Sequence, residues 1–349
     1  VPTYPMIGNY GTSEADVEST RIQVNGFVVR DDCEEPSHPL SEGTVHDYLL
    51  KNGVPGISGV DTRAITRKLR SAGVMMGIIT PNADVEIALA TLAKAPRYGE
   101  FDVVGDVSTD DIYAWNGDAG EESRAFFDLR GRARQGGMGI NVERGIGQRD
   151  LGDNYMKVVV NDYGVKLNIL RSLRARGCEV IVVPDNASAE DILGHNPDGV
   201  MLSPGPGDPE LLDRSVDTAK GLAGKVPMMG ICLGHQVIAR AFGASTFKLH
   251  FGHRGGNQPV KDLESGRVYV TAQNHGYAVD PAGLPEAMEV SHINLNDQTV
   301  EGLRHRDMPI MTIQYHSEAS PGPHDSEYLF DRFVGLIQAG QAEKAAAKV

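Results

Sequence analysis

The stretch Val226-Pro227-Met228-Met229-Gly230-Ile231-Cys232-Leu233-Gly234-His235-Gln236 joins an apolar strand, a tight turn and the start of a helix. Its Gly-x-Cys-x-Gly frame lets the chain turn sharply and lets the helix pack close to the strand. This is the pattern of a nucleophile elbow, with Cys232 in place of serine. A helix N-terminus favours the thiolate, and the N–H of Leu233 is a natural oxyanion donor. The stretch therefore predicts a nucleophilic cysteine, the alternative being a buried structural one.

Strands and helices alternate around this stretch in the pattern of βαβ units. The predicted order is strand 158–160, helix 165–175, strand 179–183, helix 191–195, strand 199–202, helix 211–223, strand 226–231 and helix 234–242. This alternation indicates a mostly parallel sheet covered on both faces. The closer strands that follow, at 267–272, 288–293 and 310–314, predict an antiparallel extension. Residues 155–338 are therefore expected to form an α/β domain with a mixed sheet flanked by helices.

A smaller α/β domain is predicted before it, over residues 1–115. Its predicted elements are a strand at 22–29, a helix at 44–52 and a second helix capped by Asp61 or Thr62. The Arg and Lys residues of that second helix either face solvent or form a docking surface. A Gly- and Arg-rich linker at 116–154 and a charged tail at 339–349 complete the predicted organisation.

Composition excludes several classes of function. The chain has 349 residues, which at ~150 residues per domain predicts two domains. A formal charge of −14 argues against binding to nucleic acid or to an anionic membrane, because both need basic surface. No apolar run reaches the ~20 residues of a membrane span. Cys33, Cys178 and Cys232 have no paired spacing, which argues against a disulfide framework or a zinc site and favours the cytoplasm.

A cysteine nucleophile needs a base and a group that orients this base. The apolar residues 309–313 predict a strand that continues into His316 and Glu318. Residues two apart in a strand point to the same face, so Glu318 is expected to hold the imidazole of His316. A metal site is the competing interpretation, but no Cys or His pair at ligand spacing lies near either motif.

Two further polar segments follow predicted strands. The loop Ser203–Pro209 is rich in Gly and Pro, and its glycines allow the backbone to approach a ligand closely. It is neither a dinucleotide nor a Walker loop, so a substrate or oxyanion loop beside the nucleophile is the better interpretation. The cluster Gln273–Tyr277 is either a turn or a substrate contact.

The Gly230–Gln236 elbow, the distant His316-x-Glu318 pair and the Ser203–Pro209 loop together resemble the class I (triad) glutamine amidotransferases. The stretches that resemble the small-chain family of carbamoyl-phosphate synthases are Pro5–Gly11, Gly59–Arg63 with the helix after it, and Phe251–Asn257. This resemblance covers almost the whole chain. It implies a class I glutamine amidotransferase-like mixed sheet preceded by a smaller α/β N-terminal domain.

The resemblance also assigns roles to residues. It implies Cys232 as the nucleophile, His316 as the acid and base, and Glu318 as its orienting partner. The positions that match the family's glutamine contacts are Lys166, Gly205, Gly207, Leu233, Gln236, Asn274, Gly276 and Tyr277. No metal ligand and no cofactor are implied for this chain. Members of the family usually begin some tens of residues before Val1, so the first domain is expected to lack its first tens of residues.

The function implied by the resemblance is hydrolysis of L-glutamine through a cysteine thioester. Ammonia is then expected to pass to a large synthetase chain, which carries the ATP, Mg²⁺ and bicarbonate sites and makes carbamoyl phosphate for arginine and pyrimidine synthesis. A cytoplasmic hetero-oligomer is expected. The alternatives are a small amidotransferase chain of another synthase, such as that making anthranilate, a glutamine- or peptide-hydrolysing enzyme without a partner, and an inactive binding module of the same fold.

Overall fold

A computed structural model describes residues 1–97, 99–117 and 155–346 of the chain, which divides into two compact units. Within these ranges, the first unit contains residues up to 100 together with residue 117. The second unit contains residues 101–116 and 155–346. Most of the predicted linker, residues 118–154, lies outside the described residues, as do residues 347–349 of the predicted tail.

The first unit combines very short strands with longer helices. Its elements within the described residues are β1 (Met6–Ile7), β2 (Phe27–Val28), β3 (Asp31–Asp32), α1 (Val45–Lys51), β4 (Gly56–Ile57), α2 (Thr62–Ala72) and α3 (Val85–Leu92). β1 pairs with β3 and β2 pairs with β4, both in parallel. The unit is therefore an α/β piece, although its sheets have only two strands each.

Helix caps in the first unit agree with the sequence, whereas the strand is shorter than predicted. Thr44 precedes α1, and its hydroxyl accepts the N–H of Asp47 at 3.0 Å. Asp61, one of the two predicted caps, begins α2 by accepting the N–H of Ala64 at 3.0 Å. The strand predicted at 22–29 is reduced to β2, because β4 offers it only two residues to pair with.

The second unit is larger and has a ten-stranded sheet. Its strands are β5 (Tyr113–Trp115), β6 (Met156–Asp162), β7 (Cys178–Pro184), β8 (Gly199–Leu202), β9 (Met228–Ile231), β10 (Thr246–Asp262), β11 (Val268–Val279), β12 (Met288–Asn294), β13 (Val300–His305) and β14 (Ile310–Ile313). Its helices within the described residues are α4 (Leu167–Ala175), α5 (Ala189–Gly194), α6 (Asp213–Leu222), α7 (Leu233–Ala241) and α8 (Tyr328–Ala346).

The sheet is mixed, as the alternation and spacing of the strands predict. Its strand order is β11-β10-β12-β13-β14-β9-β8-β6-β7-β5. The neighbours from β14 to β7 pair in parallel, whereas β10 to β13 and the edge strand β5 pair antiparallel. The carboxyl ends of β8, β9 and β14 therefore meet at one edge of the sheet, where ligand sites of open α/β sheets lie.

Two hydrophobic cores cover the parallel part of the sheet. Val158 and Val160 of β6 pack with α4 and α8 on one face, whereas Val159 packs with α5, α6 and α7 on the other. All three valines are fully buried. A strand buried on both faces needs apolar side chains in both orientations, which explains the continuous apolar run in the sequence.

Two boundaries in the structure, that between the two domains and that of the C-terminal tail, differ from those predicted from the sequence. Residues 101–115, predicted to belong to the first domain, group with the second unit because β5 pairs with β7 and Trp115 is buried in its core. The predicted tail from residue 339 is helical as far as Ala346. It continues α8, which Phe330, Phe333 and Ile337 anchor in the core.

None of the described helices combines the length and the apolar character that a membrane span requires.

Candidate active site

Cys232 lies between the carboxyl end of β9 and the N-terminus of α7, as the elbow pattern predicts. Its backbone has φ 52° and ψ −104°, a strained conformation that non-glycine residues rarely adopt and that is typical of functional sites. A Cβ on Gly230 would lie 2.6 Å from the carbonyl carbon of Gly234, and one on Gly234 only 2.1 Å from the carbonyl oxygen of Leu202. Both glycines are therefore required by close backbone packing around Cys232.

His316 and Glu318 meet as predicted, but not because they share a strand. β14 ends at Ile313; His316 forms an isolated bridge beyond it, and Glu318 lies in the turn that follows. The Nδ1 of His316 lies 2.6 Å from Oε1 of Glu318, whose side chain is fully buried. The N–H of His316 donates to the carbonyl of Ala272 on β11 at 2.9 Å, which fixes the turn against the sheet.

The electrostatics of this pair support a charged imidazole. Burial by itself disfavours the cation, but the Glu318 carboxylate and a hydrogen bond with Cys232 together raise the pKa of His316 to about 10. Burial likewise opposes ionisation of Glu318, yet His316 and Lys166 lower its pKa to about 2. At neutral pH the arrangement thus places an imidazolium beside the thiol group, where it can hold a thiolate and later donate a proton.

Lys166, which precedes α4, also reaches this pair. Its Nζ lies 3.2 Å from Oε1 of Glu318 and donates to the carbonyl of Ala319. The structure therefore brings this predicted glutamine contact to the carboxylate of the His316–Glu318 pair. A lysine at the start of a helix carries no local signal of such a role, so only the family resemblance singles it out.

The Ser203–Pro209 loop lies directly against α7, the helix that follows Cys232. A Cβ on Gly205 would lie 2.1 Å from the carbonyl oxygen of Tyr163 and 2.9 Å from Cδ2 of Leu233. The N–H of Gly234 donates to the carbonyl of Ser203 at 3.1 Å. Gly205 and Leu233 are thus together, as an oxyanion site requires. Gly207, with φ 99°, follows in the same loop.

The remaining predicted contacts lie on α7 and β11. Gln236 is buried, and its Nε2 donates to the carbonyl of Tyr277 at 2.9 Å. Asn274 is exposed and Gly276 is half-buried on the same strand, which is bridged to His316 through Ala272. The Gln273–Tyr277 cluster is therefore part of a strand rather than a turn.

A buried polar cluster that sequence reasoning missed joins β10, β11 and β13. The side chains of His253, His275 and Glu301 could each supply one ligand atom to a metal ion, and these atoms lie within 4.8 Å of one another. His275, however, uses both ring nitrogens, with the Tyr277 carbonyl at 2.8 Å and Oε1 of Gln273 at 2.9 Å. Both ring nitrogens of His275 are therefore already engaged by hydrogen-bond partners. Glu301 lies on β13, a strand that the sequence analysis did not predict.

The variant Glu318→Gln is expected to lose the part of the free energy of unfolding that depends on the charges of Glu318 and His316. In the wild type, the lowered pKa of Glu318 stabilises the fold at pH values above 4.5, the pKa of this group in the unfolded chain. The raised pKa of His316 stabilises the fold at pH values below 6.5, the pKa of an unfolded histidine. The loss in Glu318→Gln should therefore be greatest between these values and shrink as the pH rises towards 10. Thermal melts of both proteins at pH 5.5 and pH 9.5 measure this difference.

An exposed pair provides the control for this experiment. His324 Nδ1 and Glu327 Oε1 lie 2.5 Å apart, but His324 is well exposed, so Glu327→Gln should change the melting temperature little at either pH. A melting difference for Glu318→Gln that is the same at both pH values would contradict the proposed ion pair.

Comparison with known proteins decides the family. Residues 158–336 match the model of the family "Glutamine amidotransferase class-I". Residues 1–79 match the "Carbamoyl-phosphate synthase small chain, CPSase domain" family. The chain belongs to the carbamoyl-phosphate synthase small-chain family. The expected resemblance and the amidotransferase fold class are therefore confirmed.

Individual relatives match over most of their own length. The carbamoyl phosphate synthase small chain of Syntrophotalea carbinolica is 44% identical over 96% of this chain and 84% of the relative. That of Rhodopirellula baltica is 46% identical over 95% of this chain and 82% of the relative. The small chain of Symbiobacterium thermophilum is 46% identical over 97% of this chain and 85% of the relative.

Proposed function

We propose that this chain is the glutamine-hydrolysing subunit of a carbamoyl phosphate synthase. The observation that carries the proposal is that His316, paired with Glu318, lies beside Cys232 of the elbow in a member of the small-chain family. The family matches give no support to a chain serving another synthase, because residues 1–79 match the small-chain model specifically.

The reaction begins with attack of the Cys232 thiolate on the side-chain amide carbon of L-glutamine. The oxyanion that forms is stabilised by the N–H of Leu233 and by N–H groups of the Gly205–Gly207 loop. The C–N bond then breaks, and His316 gives its proton to the departing ammonia. His316 next removes a proton from water, which hydrolyses the glutamyl thioester and releases glutamate.

Glu318 and Lys166 support this proton transfer. Glu318 holds the Nδ1 side of the imidazole, so the other nitrogen is directed to the reacting atoms. Lys166 neutralises part of the charge of the buried Glu318 carboxylate. The residues proposed to contact glutamine are Lys166, Gly205, Gly207, Leu233, Gln236, Asn274, Gly276 and Tyr277.

Ammonia from this site is proposed to pass to a large synthetase chain. That partner carries the ATP, Mg²⁺ and bicarbonate sites, and the two chains form a hetero-oligomer. Exposed apolar side chains of the first unit support a role in docking this partner; they are Val74, Met75, Met76, Ile78, Ile79, Val85, Ile87 and Leu89. The three free cysteines fit a reducing compartment, and we place the complex in the cytoplasm.

Purification of the complex from its host tests this function. We expect a large ATP-using chain to copurify and the complex to make carbamoyl phosphate from bicarbonate, ATP and either glutamine or ammonia. A glutamine-like electrophile should label Cys232 and abolish only the glutamine-dependent activity. Glutamine hydrolysis without a copurifying chain, or loss of both activities on labelling, would contradict the proposal.

A further inference from the structure

Gln314 is a fully buried polar residue that the proposed reaction does not use. It directly follows β14 and precedes His316 by two positions. Its N–H donates to the carbonyl of Glu301 on β13 at 2.9 Å. A buried amide side chain at this place is costly unless it is hydrogen-bonded, so its contacts are informative.

The side chain of Gln314 is bonded to Gln236, which lies one turn after the nucleophile on α7. Oε1 of Gln314 accepts the Nε2–H of Gln236 at 2.9 Å, and this same nitrogen donates to the carbonyl of Tyr277 at 2.9 Å. A carbonyl can only accept, so Gln236 must present its NH₂ group to Tyr277. Its second N–H then requires an oxygen, which fixes the orientation of the Gln314 amide.

This pair of amides joins three parts of the site. Gln236 belongs to the helix of Cys232, Tyr277 to the strand proposed to contact glutamine, and Gln314 to the segment that carries His316. Two main-chain hydrogen bonds also hold the segment from Ile313 to His316. The N–H of Cys232 donates to the carbonyl of Ile313 at 2.8 Å, and the N–H of His316 donates to Ala272 on β11.

The NH₂ group of the Gln314 amide takes no part in these hydrogen bonds. Its Nε2 is buried and has no hydrogen-bond partner among the described residues. A buried donor without a partner costs about 1–3 kcal/mol. A methionine of similar shape would remove this unpaired group but would leave one N–H of the buried Gln236 without an acceptor, so hydrogen-bond pairing by itself does not favour the amide. What methionine cannot do is accept the hydrogen bond of Gln236.

We propose that Gln314 is a positioning residue that sets the affinity for glutamine by orienting the Gln236 amide. This role rests on the proposed glutaminase function, since Gln236 and Tyr277 are substrate contacts only there. Without the Gln314 acceptor, Gln236 is held, among the described residues, only by the Tyr277 carbonyl, so the orientation of its amide is less restricted. The Tyr277 carbonyl keeps its contact with Nδ1 of His275, so the change falls on the Gln236 side chain. Gln314 itself does not touch the reacting atoms.

The variant Gln314→Met, assayed in the complete complex, tests the proposal. We expect the KM for glutamine to rise about tenfold, which corresponds to about 1.4 kcal/mol, while kcat falls less than threefold. Glutamine binding measured calorimetrically in a Cys232→Ser background should weaken by the same factor. Gln314→Glu keeps an acceptor oxygen for Gln236 and should restore the KM to within threefold of the wild type.

Thr218→Val is the matched control, because it removes a buried hydrogen bond of 3.1 Å to the carbonyl of Ala187 in the same unit. It should lower the melting temperature and leave the KM unchanged. If Gln314→Met does not fold, Gln314→Asn replaces it, because its amide is one methylene too short to reach Gln236. A folded Gln314→Met or Gln314→Asn protein with a KM within twofold of the wild type would overturn the role of Gln314. A wild-type complex that neither binds nor hydrolyses glutamine would instead overturn the proposed function.

Discussion

Replacing Cys232 with serine is expected to abolish glutamine-dependent carbamoyl phosphate synthesis by the assembled complex, with a loss of at least about 10³-fold. The cationic imidazole of His316 can hold a thiolate beside it, whereas a serine hydroxyl stays protonated and is a weak nucleophile. Ammonia-dependent synthesis should survive, because it needs only the partner chain. Both rates are measured on the same preparation with saturating ATP and bicarbonate.

Cys33→Ser serves as the control for this experiment. Cys33 is a free, half-buried cysteine of the first unit, so the same chemical change there should leave both rates unaltered. Equal loss of the glutamine-dependent and ammonia-dependent rates in Cys232→Ser would show damage to the complex rather than to the nucleophile. Retention of the glutamine-dependent rate would refute the assignment of Cys232.

Gly205→Ala is expected to lower the glutamine-dependent rate by about 100-fold, the size of effect typical for the loss of an oxyanion donor. The added methyl carbon would lie 2.1 Å from the Tyr163 carbonyl oxygen and 2.8 Å from Cβ of Tyr163. Backbone atoms cannot yield as the tip of a flexible side chain does, so the loop must move away from Leu233. Because the donors then no longer converge on the oxyanion, the loss should fall on kcat. Steady-state kinetics with glutamine and with ammonia measure it.

The matched control is Gly335→Ala in α8. A Cβ on Gly335 would have no atom within 4 Å, and alanine is the better helix former, so the variant should keep full activity and melt at the same or a higher temperature. Wild-type kinetics in a folded Gly205→Ala protein would show that the loop does not contribute to the oxyanion site.

The elbow around Cys232 was predictable because its constraints are local. A strand, two glycines and a helix start occupy consecutive positions, and the close contacts of Gly230 and Gly234 are made within this frame and with the adjacent β8. The parallel strands were predictable for a similar reason, since burial on both faces produces continuous apolar runs such as Val158–Val160.

For His316 and Glu318, the sequence pattern correctly predicted that the two side chains meet, but it assumed the wrong backbone geometry. Strand alternation predicts that residues two apart share a face, but β14 ends at Ile313 and a turn brings the side chains together. The bridge to Ala272 on β11 holds this turn. The pairing partner lies more than forty positions away, and no local pattern near His316 contains it.

Several elements of the second unit were not predicted. β10 and β13 were missed, and β11 is longer than expected, because these strands contain polar and glycine residues that pair across bulges. α8 was missed because its apolar residues pack against a core that forms from distant strands. β5 has only three residues, too few to show a period.

The sequence by itself predicted the family, the elbow at Cys232 and the alternation of parallel strands with helices, because each is carried by short motifs or local patterns. Only the tertiary structure decided how Lys166 reaches Glu318, how Gln314 bonds to Gln236, and where the buried cluster of His253 and Glu301 lies. These contacts join elements that are far apart in sequence. They exist because the sheet brings distant strands to adjacent positions, where buried polar groups must find partners.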